Sequence, residues 1–224
     1  MKKIEKIAVA SRSFSKHPVL REELSELYSH VQFNEEGKTY QGESLISFLK
    51  DHDSAIVGLE HLTGDVLTRL PQLKVISRFG VGLDTVDVKT AARLGIKLAV
   101  TAGANKRSVA ELVIAFSIMM LRQLPLANQE LRSGKWLQRK GRQLSDCTVG
   151  IIGMGAIGKD LALLLQAFNC NILTYDLVKH VDFCQQNQIQ EVDLETLLQQ
   201  SDIVTIHIPD TGIDDPTYFL SLIR

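Results

Sequence analysis

The stretch Thr148-Val149-Gly150-Ile151-Ile152-Gly153-Met154-Gly155-Ala156-Ile157-Gly158-Lys159 decides how this chain is read. A short apolar run of β character leads into G-x-G-x-x-G, and a helix-forming segment, Asp160 to Phe168, follows. Gly153 allows a tight turn out of the strand. Gly155, lacking Cβ, lets a pyrophosphate approach the backbone, and Gly158 lets the helix pack closely on the strand. The helix N-terminus then offers N–H groups and the positive end of a dipole to phosphate. Glycine-rich turns are common, so the flanks carry the argument. A second apolar run, Asn171 to Tyr175, ends in Asp176, eighteen residues after Gly158. An acid at that distance is placed to accept hydrogen bonds from an adenosine ribose. The stretch reads as a dinucleotide site.

The remainder of the chain narrows the class. With 224 residues, 45% of them hydrophobic, it is long enough for one or two real cores. A net charge of −1 gives no global attraction to nucleic acid or to an anionic membrane. The charged start, Met1-Lys2-Lys3-Ile4-Glu5-Lys6, is unlike a signal peptide. The apolar run Leu112 to Leu121 is about half the ~20 residues that a membrane span needs. Cys147, Cys170 and Cys184 form no C-x-x-C pair. That usage suits a reducing cytoplasm and gives no metal site.

The first hundred residues alternate strand-like and helix-like pieces. The strands are Ile4 to Ala10, Ser54 to Gly58, Leu73 to Ser77 and Ile96 to Val100. The helices are Pro18 to Tyr28, Glu43 to Lys50, one starting at Thr63-Gly64-Asp65 and closing before Pro71, and Thr85 to Leu94. Such alternation implies a parallel sheet covered on both faces. Ser108 to Leu124 reads as one helix too apolar for a free surface, and Lys135 to Arg142 as a solvated basic connector. A phosphate-binding role for Arg139 or Arg142 is the lesser reading. A second unit begins at Cys147 with strands Thr148–Gly153, Asn171–Tyr175 and Ile203–Ile208, the last preceded by a helix over Leu194 to Gln200. Taken as the 3-2-1 half of a six-stranded dinucleotide fold, it would leave the first strand with a bare edge where the fourth belongs.

Five segments now fall in a recognisable order: Ser77-Arg78-Phe79-Gly80-Val81-Gly82-Leu83-Asp84-Thr85-Val86-Asp87; Gly103-Ala104-Asn105 with Ser108-Val109-Ala110-Glu111; Gly134-Lys135-Trp136; the glycine fingerprint; and His207-Ile208-Pro209. The chain resembles the D-isomer-specific 2-hydroxyacid dehydrogenases, most closely the phosphoglycerate dehydrogenase branch. The resemblance implies an α/β architecture: a flavodoxin-like substrate-binding lobe (residues 1–103), a long helix and connector (104–144), and a Rossmann-type NAD-binding lobe (145–224). It also implies a homodimer and a small 2-hydroxy or 2-oxo acid as substrate, with neither nucleic acid nor membrane as partner.

By the same resemblance, Val81 and Gly82 present backbone N–H groups to the substrate carboxylate, and Asn105 and Val109 line the cleft near the nicotinamide. Met154, Gly155, Ala156 and Ile157 wrap the pyrophosphate, Asp176 holds the ribose, and His207 and Pro209 lie beside the adenosine. The H-x-P histidine is not the family's acid–base, so His207 is expected to line the cofactor. His17, His30, His52, His61 and His180 read as surface or packing residues. Asp84 and Asp87 read as helix-capping groups. Arg78, Lys106 and Arg107 are the cations near enough in sequence to serve a phosphorylated acid. Asp176 favours NAD, since its carboxylate repels a 2′-phosphate; Lys179 works weakly against that preference.

The chain departs from the family pattern at Val100-Thr101-Ala102, where Asn-Thr-Pro is usual, and at Asp146-Cys147, where Gly-Lys is common. The arginine, glutamate and histidine of the family's hydride-transfer machinery are expected beyond Arg224, so no catalytic residue is assigned. The chain is expected to be a C-terminally shortened dehydrogenase, possessing the cofactor site but not the proton donor. The competing readings are a non-catalytic dinucleotide sensor or partner-binding protein, and a truncated remnant.

Overall fold

The computed structural model describes residues 6–208. Two compact units emerge, Met1–Ala104 and Asn105–Arg224.

In the first unit, five parallel strands run in the order β2-β1-β3-β4-β5: β1 (Ile7–Val9), β2 (Val31–Phe33), β3 (Ser54–Val57), β4 (Val75–Arg78) and β5 (Lys97–Ala99). This is the flavodoxin-like order. The covering helices are α1 (Arg12–Lys16), α2 (Pro18–Leu27), α3 (Gly42–Leu49), α4 (Gly64–Thr68) and α5 (Val88–Arg93). All of β1 is buried, which is why it reads as a continuous apolar run. Leu45 and Leu49 of α3, Leu67 of α4 and Ile76 of β4 share one core; each such fully buried side chain contributes about 1.5–3 kcal/mol. Two caps fix helix starts that periodicity alone leaves loose. Thr63 accepts from the Val66 N–H, and Asp87 from the Thr90 N–H at 2.9 Å, so α5 begins at Val88 rather than Thr85.

The second unit holds α6 (Lys106–Leu121), α7 (Leu124–Arg132), β6 (Thr148–Ile152), α8 (Ala156–Ala167), β7 (Asn171–Tyr175), α9 (Val181–Gln186), β8 (Gln190–Glu191), α10 (Leu194–Gln200) and β9 (Ile203–Ile206). Its parallel sheet runs β8-β7-β6-β9. The expectation of a bare edge on the first strand is therefore wrong. β9 pairs with β6 on the side away from β7, and the outer place beyond β7 belongs to β8, whose two residues are too few to show a period.

The apolar helix is also shorter than its composition implies. It stops at Leu121, Gln123 takes a left-handed conformation (φ 51°), and α7 leaves at 61°. Among the described residues no single helix is long and apolar enough to cross a membrane. One side of α6 packs on α8, where Ala110, Val113, Ile114 and Ile118 meet Leu161, Ala162 and Leu165. Its other side leaves Leu112, Phe116 and Met120 about half exposed or more.

Candidate cofactor and substrate site

The turn after β6 is built by close approach. Gly153 has φ +96°, and a Cβ there would lie 2.6 Å from the His207 carbonyl oxygen and 2.9 Å from Ile208 Cγ2. The chain leaving β9 thus passes directly over this residue, and only glycine suits both the conformation and the space. Gly158, in the first turn of α8, faces the Gly153 carbonyl and Ile151, so a side chain there would push helix off strand. Gly155 differs from both: its φ is −71° and nothing lies within 4 Å of where a Cβ would be. It is the N-cap of α8, with no side-chain cap and no acidic residue in the first turn. The first N–H groups of a helix have no intrahelical acceptor, and here no carboxylate competes for them. Gly155 and Ala156 are exposed, Ile157 is half-buried and the Met154 side chain is fully buried.

Asp176 closes the other side of this crevice. The register pairs Ile152 with Tyr175, so the residues just beyond these strand ends are neighbours. One carboxylate oxygen accepts from the Met154 N–H at 2.6 Å, and the other from the Val178 N–H at 2.9 Å. Burial works against the charge, yet the N–H groups of Val178 and Met154, with His180 beside them, outweigh it. The pKa lies below the ordinary carboxylate value. The His180 Nε2 is 3.6 Å from Asp176 Oδ2, so this histidine is not a bystander. The signal was present in the sequence: His180 stands four residues after Asp176. Lys179 turns to Glu191, 3.5 Å away. Leu177 and Val178 stand exposed beside Asp176.

His207 is brought to the same turn. Its N–H donates to the Ile152 carbonyl at 2.7 Å, its Nε2 is 2.9 Å from Thr205 Oγ1, and burial lowers its pKa, leaving the ring neutral at pH 7. Pro209 lies outside the described residues. Asn105 is exposed at the N-cap of α6 and Val109 is half-buried one turn on. This end of α6 is tied to α8 by Arg107, whose Nε is 2.8 Å from the buried carboxylate of Asp160. Arg107 is thus engaged within the unit, whereas Lys106 is exposed. Arg139 pairs with Glu130, and Arg142 with Asp202 at 2.6 Å. Both connector arginines therefore already have carboxylate partners.

In the first unit, Val81 and Gly82 lie in the loop after β4, both half-buried. Arg78 Nε donates to the Gly82 carbonyl at 2.9 Å. Arg78 Nη1 is enclosed with no hydrogen-bond partner among the described residues. Beside it opens a crevice of about 490 Å³, lined by Ser11, Arg12, Lys16, Gly58, Glu60 and Arg78 at the C-terminal ends of β1, β3 and β4. Ligands of open parallel sheets bind at such ends. Sequence reasoning missed Ser11, Arg12 and Lys16, because α1 is only five residues long. It also missed Glu60, a buried carboxylate that accepts from the Gly58 N–H at 2.6 Å. No group of three His, Cys, Asp or Glu among the described residues could hold a metal ion.

Comparison with known proteins identifies the second unit's domain. Residues 114–215 match the family described as D-isomer specific 2-hydroxyacid dehydrogenase, NAD binding domain. This segment belongs to that family. A hydroxypyruvate reductase of Thermotoga maritima is 34% identical over 195 residues, which cover 85% of this chain and 60% of the reductase. A D-3-phosphoglycerate dehydrogenase of Archaeoglobus fulgidus is 33% identical over 172 residues, 75% of this chain and 33% of that enzyme. Among solved structures, D-lactate dehydrogenase from Aquifex aeolicus, complexed with NAD and lactic acid, superposes with a TM-score of 0.78 at 25% identity. That match covers 92% of this chain and 61% of the other. The chain thus spans about three fifths of the hydroxypyruvate reductase. The fold is that of the solved D-lactate dehydrogenase: two parallel α/β sheets, the second part of a Rossmann-type NAD-binding domain.

Proposed function

We propose that the chain is the cofactor- and acid-binding part of an NAD-dependent oxidoreductase. The reaction is hydride transfer between the nicotinamide C4 and C2 of a 2-hydroxy or 2-oxo acid. One observation carries this reading: the uncapped start of α8 opens at Gly155, and across from it the Asp176 carboxylate is already held by the N–H groups of Met154 and Val178. Diphosphate needs the first, and a ribose diol the second. NAD supplies the hydride chemistry when bound; the protein binds, orients and excludes water. In this reading Gly153, Gly155 and Gly158 shape the crevice, and the backbone from Met154 to Ile157 meets the pyrophosphate. Leu177 and Val178 offer apolar surface to the adenine, His207 flanks the adenosine, and Asn105 and Val109 face the nicotinamide.

The acid itself is assigned to residues 1–103, with residues 104–144 as the connector and 145–224 as the cofactor lobe. The N–H groups at Val81 and Gly82 would take its carboxylate, and the cations Arg12, Lys16 and Arg78 suit an anionic substrate such as a phosphorylated one. The 224 residues are proposed to supply the cofactor and acid sites; the arginine, glutamate and histidine of the resemblance are assigned to none of them. The exposed apolar side of α6 and α7 (Leu112, Phe116, Met120, Leu126 and Leu131) supports a homodimer. The three free thiols suit a cytoplasmic setting.

The test is a fluorescence titration with NADH. Saturable binding that Asp176→Ala weakens tenfold or more is expected. Equal binding by wild type and variant would remove the cofactor assignment. A non-catalytic sensor reading predicts the same binding; turnover of 2-oxo acids by a chain extended through the family's full length separates the two.

A further inference from the structure

We propose that Cys147 and Cys170 are a modification site: hydrogen peroxide joins them in a disulfide across the starts of β6 and β7. The inference is independent of the dinucleotide reading above. The parallel register pairs Thr148 with Asn171 and Val149 with Ile172, and the Asn171 side-chain amide donates to Thr148 Oγ1 at 3.1 Å. The same step carried one residue back on each strand sets Cys147 opposite Cys170. Neighbouring strands lie about 4.7–4.9 Å apart, within the ~4.4–6.8 Å between Cα atoms that a disulfide spans. Side chains alternate along a strand, so both cysteines share the face of Val149 and Ile172. Those two residues belong to one core cluster, and Cys170 packs against it. The sulfurs also turn to adjacent carbonyls: Cys147 Sγ donates to Gln143 and Cys170 Sγ to Leu144, each at 3.3 Å.

Burial holds both thiols above the ordinary cysteine value, and at Cys170 the neighbouring Cys147 adds to the rise. Neither is a standing thiolate at neutral pH, so the reaction is slow. Cys170 is half-buried and Cys147 buried, so peroxide meets Cys170 first. Its sulfur takes one oxygen as the O–O bond breaks, giving a sulfenic acid and one water. The Cys147 sulfur then attacks the sulfenyl sulfur. The S–O bond breaks, the S–S bond forms, and hydroxide leaves with the Cys147 proton as a second water. Two thiols lose two electrons, and one peroxide gains them. Cys184 provides the contrast. It lies in α9, where burial raises its thiol and the charges acting on it are those of Glu191, Lys159 and Lys179 rather than another cysteine.

The experiment treats the reduced 224-residue chain with hydrogen peroxide, alkylates the remaining thiols with N-ethylmaleimide and maps tryptic peptides without reduction. Cleavage at Arg142, Lys159 and Lys179 places the three cysteines in separate peptides, 143–159, 160–179 and 180–224. The expected product joins 143–159 to 160–179, weighs two hydrogens less than their sum, is lost on adding dithiothreitol, and leaves Cys184 alkylated. Cys184→Ser should form the same bridge. Cys147→Ser, checked for folding by thermal unfolding, should instead hold a Cys170 sulfenic acid that dimedone traps. In concentrated urea the register is gone and the shorter loop from Cys170 to Cys184 closes more readily, so the bridge should move to Cys184. A folded chain that bridges Cys170 to Cys184, that bridges only between chains, or that forms no bridge overturns the proposal. So does a product whose pairing is the same with and without urea.

Discussion

Gly155→Ala separates binding from folding more cleanly than any other change at this site. The backbone at Gly155 (φ −71°, ψ −159°) is one that alanine adopts, and no heavy atom lies within 4 Å of the new methyl. Two small effects on stability oppose each other. Alanine restricts the unfolded chain, worth about 0.4–1 kcal/mol, but it is a poorer N-cap than glycine by a similar amount. The net change is expected within about 1 kcal/mol. Binding has no such cancellation. The methyl would project from the lip of the helix start into the space a diphosphate must enter to reach N–H groups at about 2.9 Å. Losing one charge-assisted hydrogen bond costs about 1.5–3 kcal/mol, so NADH affinity should fall roughly 10- to 100-fold. Thermal unfolding and NADH fluorescence titration on the same preparation read both quantities. An unchanged affinity in a folded variant would refute the placement of the pyrophosphate at this turn. A large loss of stability would refute the claim that Gly155 faces open space.

The neighbouring glycine should behave oppositely. Gly158→Ala forces a methyl onto the Gly153 carbonyl and should cost about 1–3 kcal/mol of stability, read as a lower urea midpoint; a midpoint equal to wild type would contradict the packing described for α8. Arg107→Ala leaves the buried Asp160 carboxylate without its cation, and because Arg107 is itself half exposed the cost is expected at about 1–3 kcal/mol, with Arg107→Lys recovering part of it. The depressed pKa of Asp176 means that the unfolded chain takes up its proton first. Its stabilisation is therefore complete above about pH 4 and is lost as pH falls through the lower folded-state value, so Asp176→Asn should flatten that acid limb in pH-dependent urea titrations. Phe116→Glu together with Met120→Glu should shift sedimentation toward the monomer if the exposed side of α6 joins two copies, and an unshifted dimer would place the interface elsewhere.

What the sequence made legible follows from physical scale. Runs of four or five apolar residues, such as Ser54–Val57 and Thr148–Ile152, are buried on both faces and stand out by composition. β2 has three residues and β8 two; neither carries a period, so one edge of each sheet was invisible. Missing β8 moved β9 to the wrong side of β6 and created the expectation of a bare edge. The break between α6 and α7 was hidden for a different reason. Arg122 and Gln123 are ordinary helix formers, and only the left-handed backbone at Gln123, with Pro125 entering the next helix, ends α6. Polar partners lie beyond periodicity altogether. Arg107 finds Asp160 across 53 residues, and Arg142 finds Asp202 across 60.

The spacing between Gly158 and Asp176 was legible because it is a matter of length. From its start beside the glycine turn, α8 runs twelve residues, which at 1.5 Å each carries the chain about 18 Å away. A short turn at Asn169 (φ 57°) reverses it, and β7 returns through five residues at about 3.3 Å, some 17 Å. The outward and return paths match, so the residue after β7 must arrive beside the turn from which the helix left. Asp176 occupies that place, and Met154 donates to it at 2.6 Å. Shortening α8 by one full turn would remove about 5.4 Å from the outward path alone, carrying Asp176 past the turn. The expected result is loss of NADH binding greater than any single substitution at the ribose contact produces. Retention of binding in such a folded deletion variant would show that the carboxylate is not what holds the sugar.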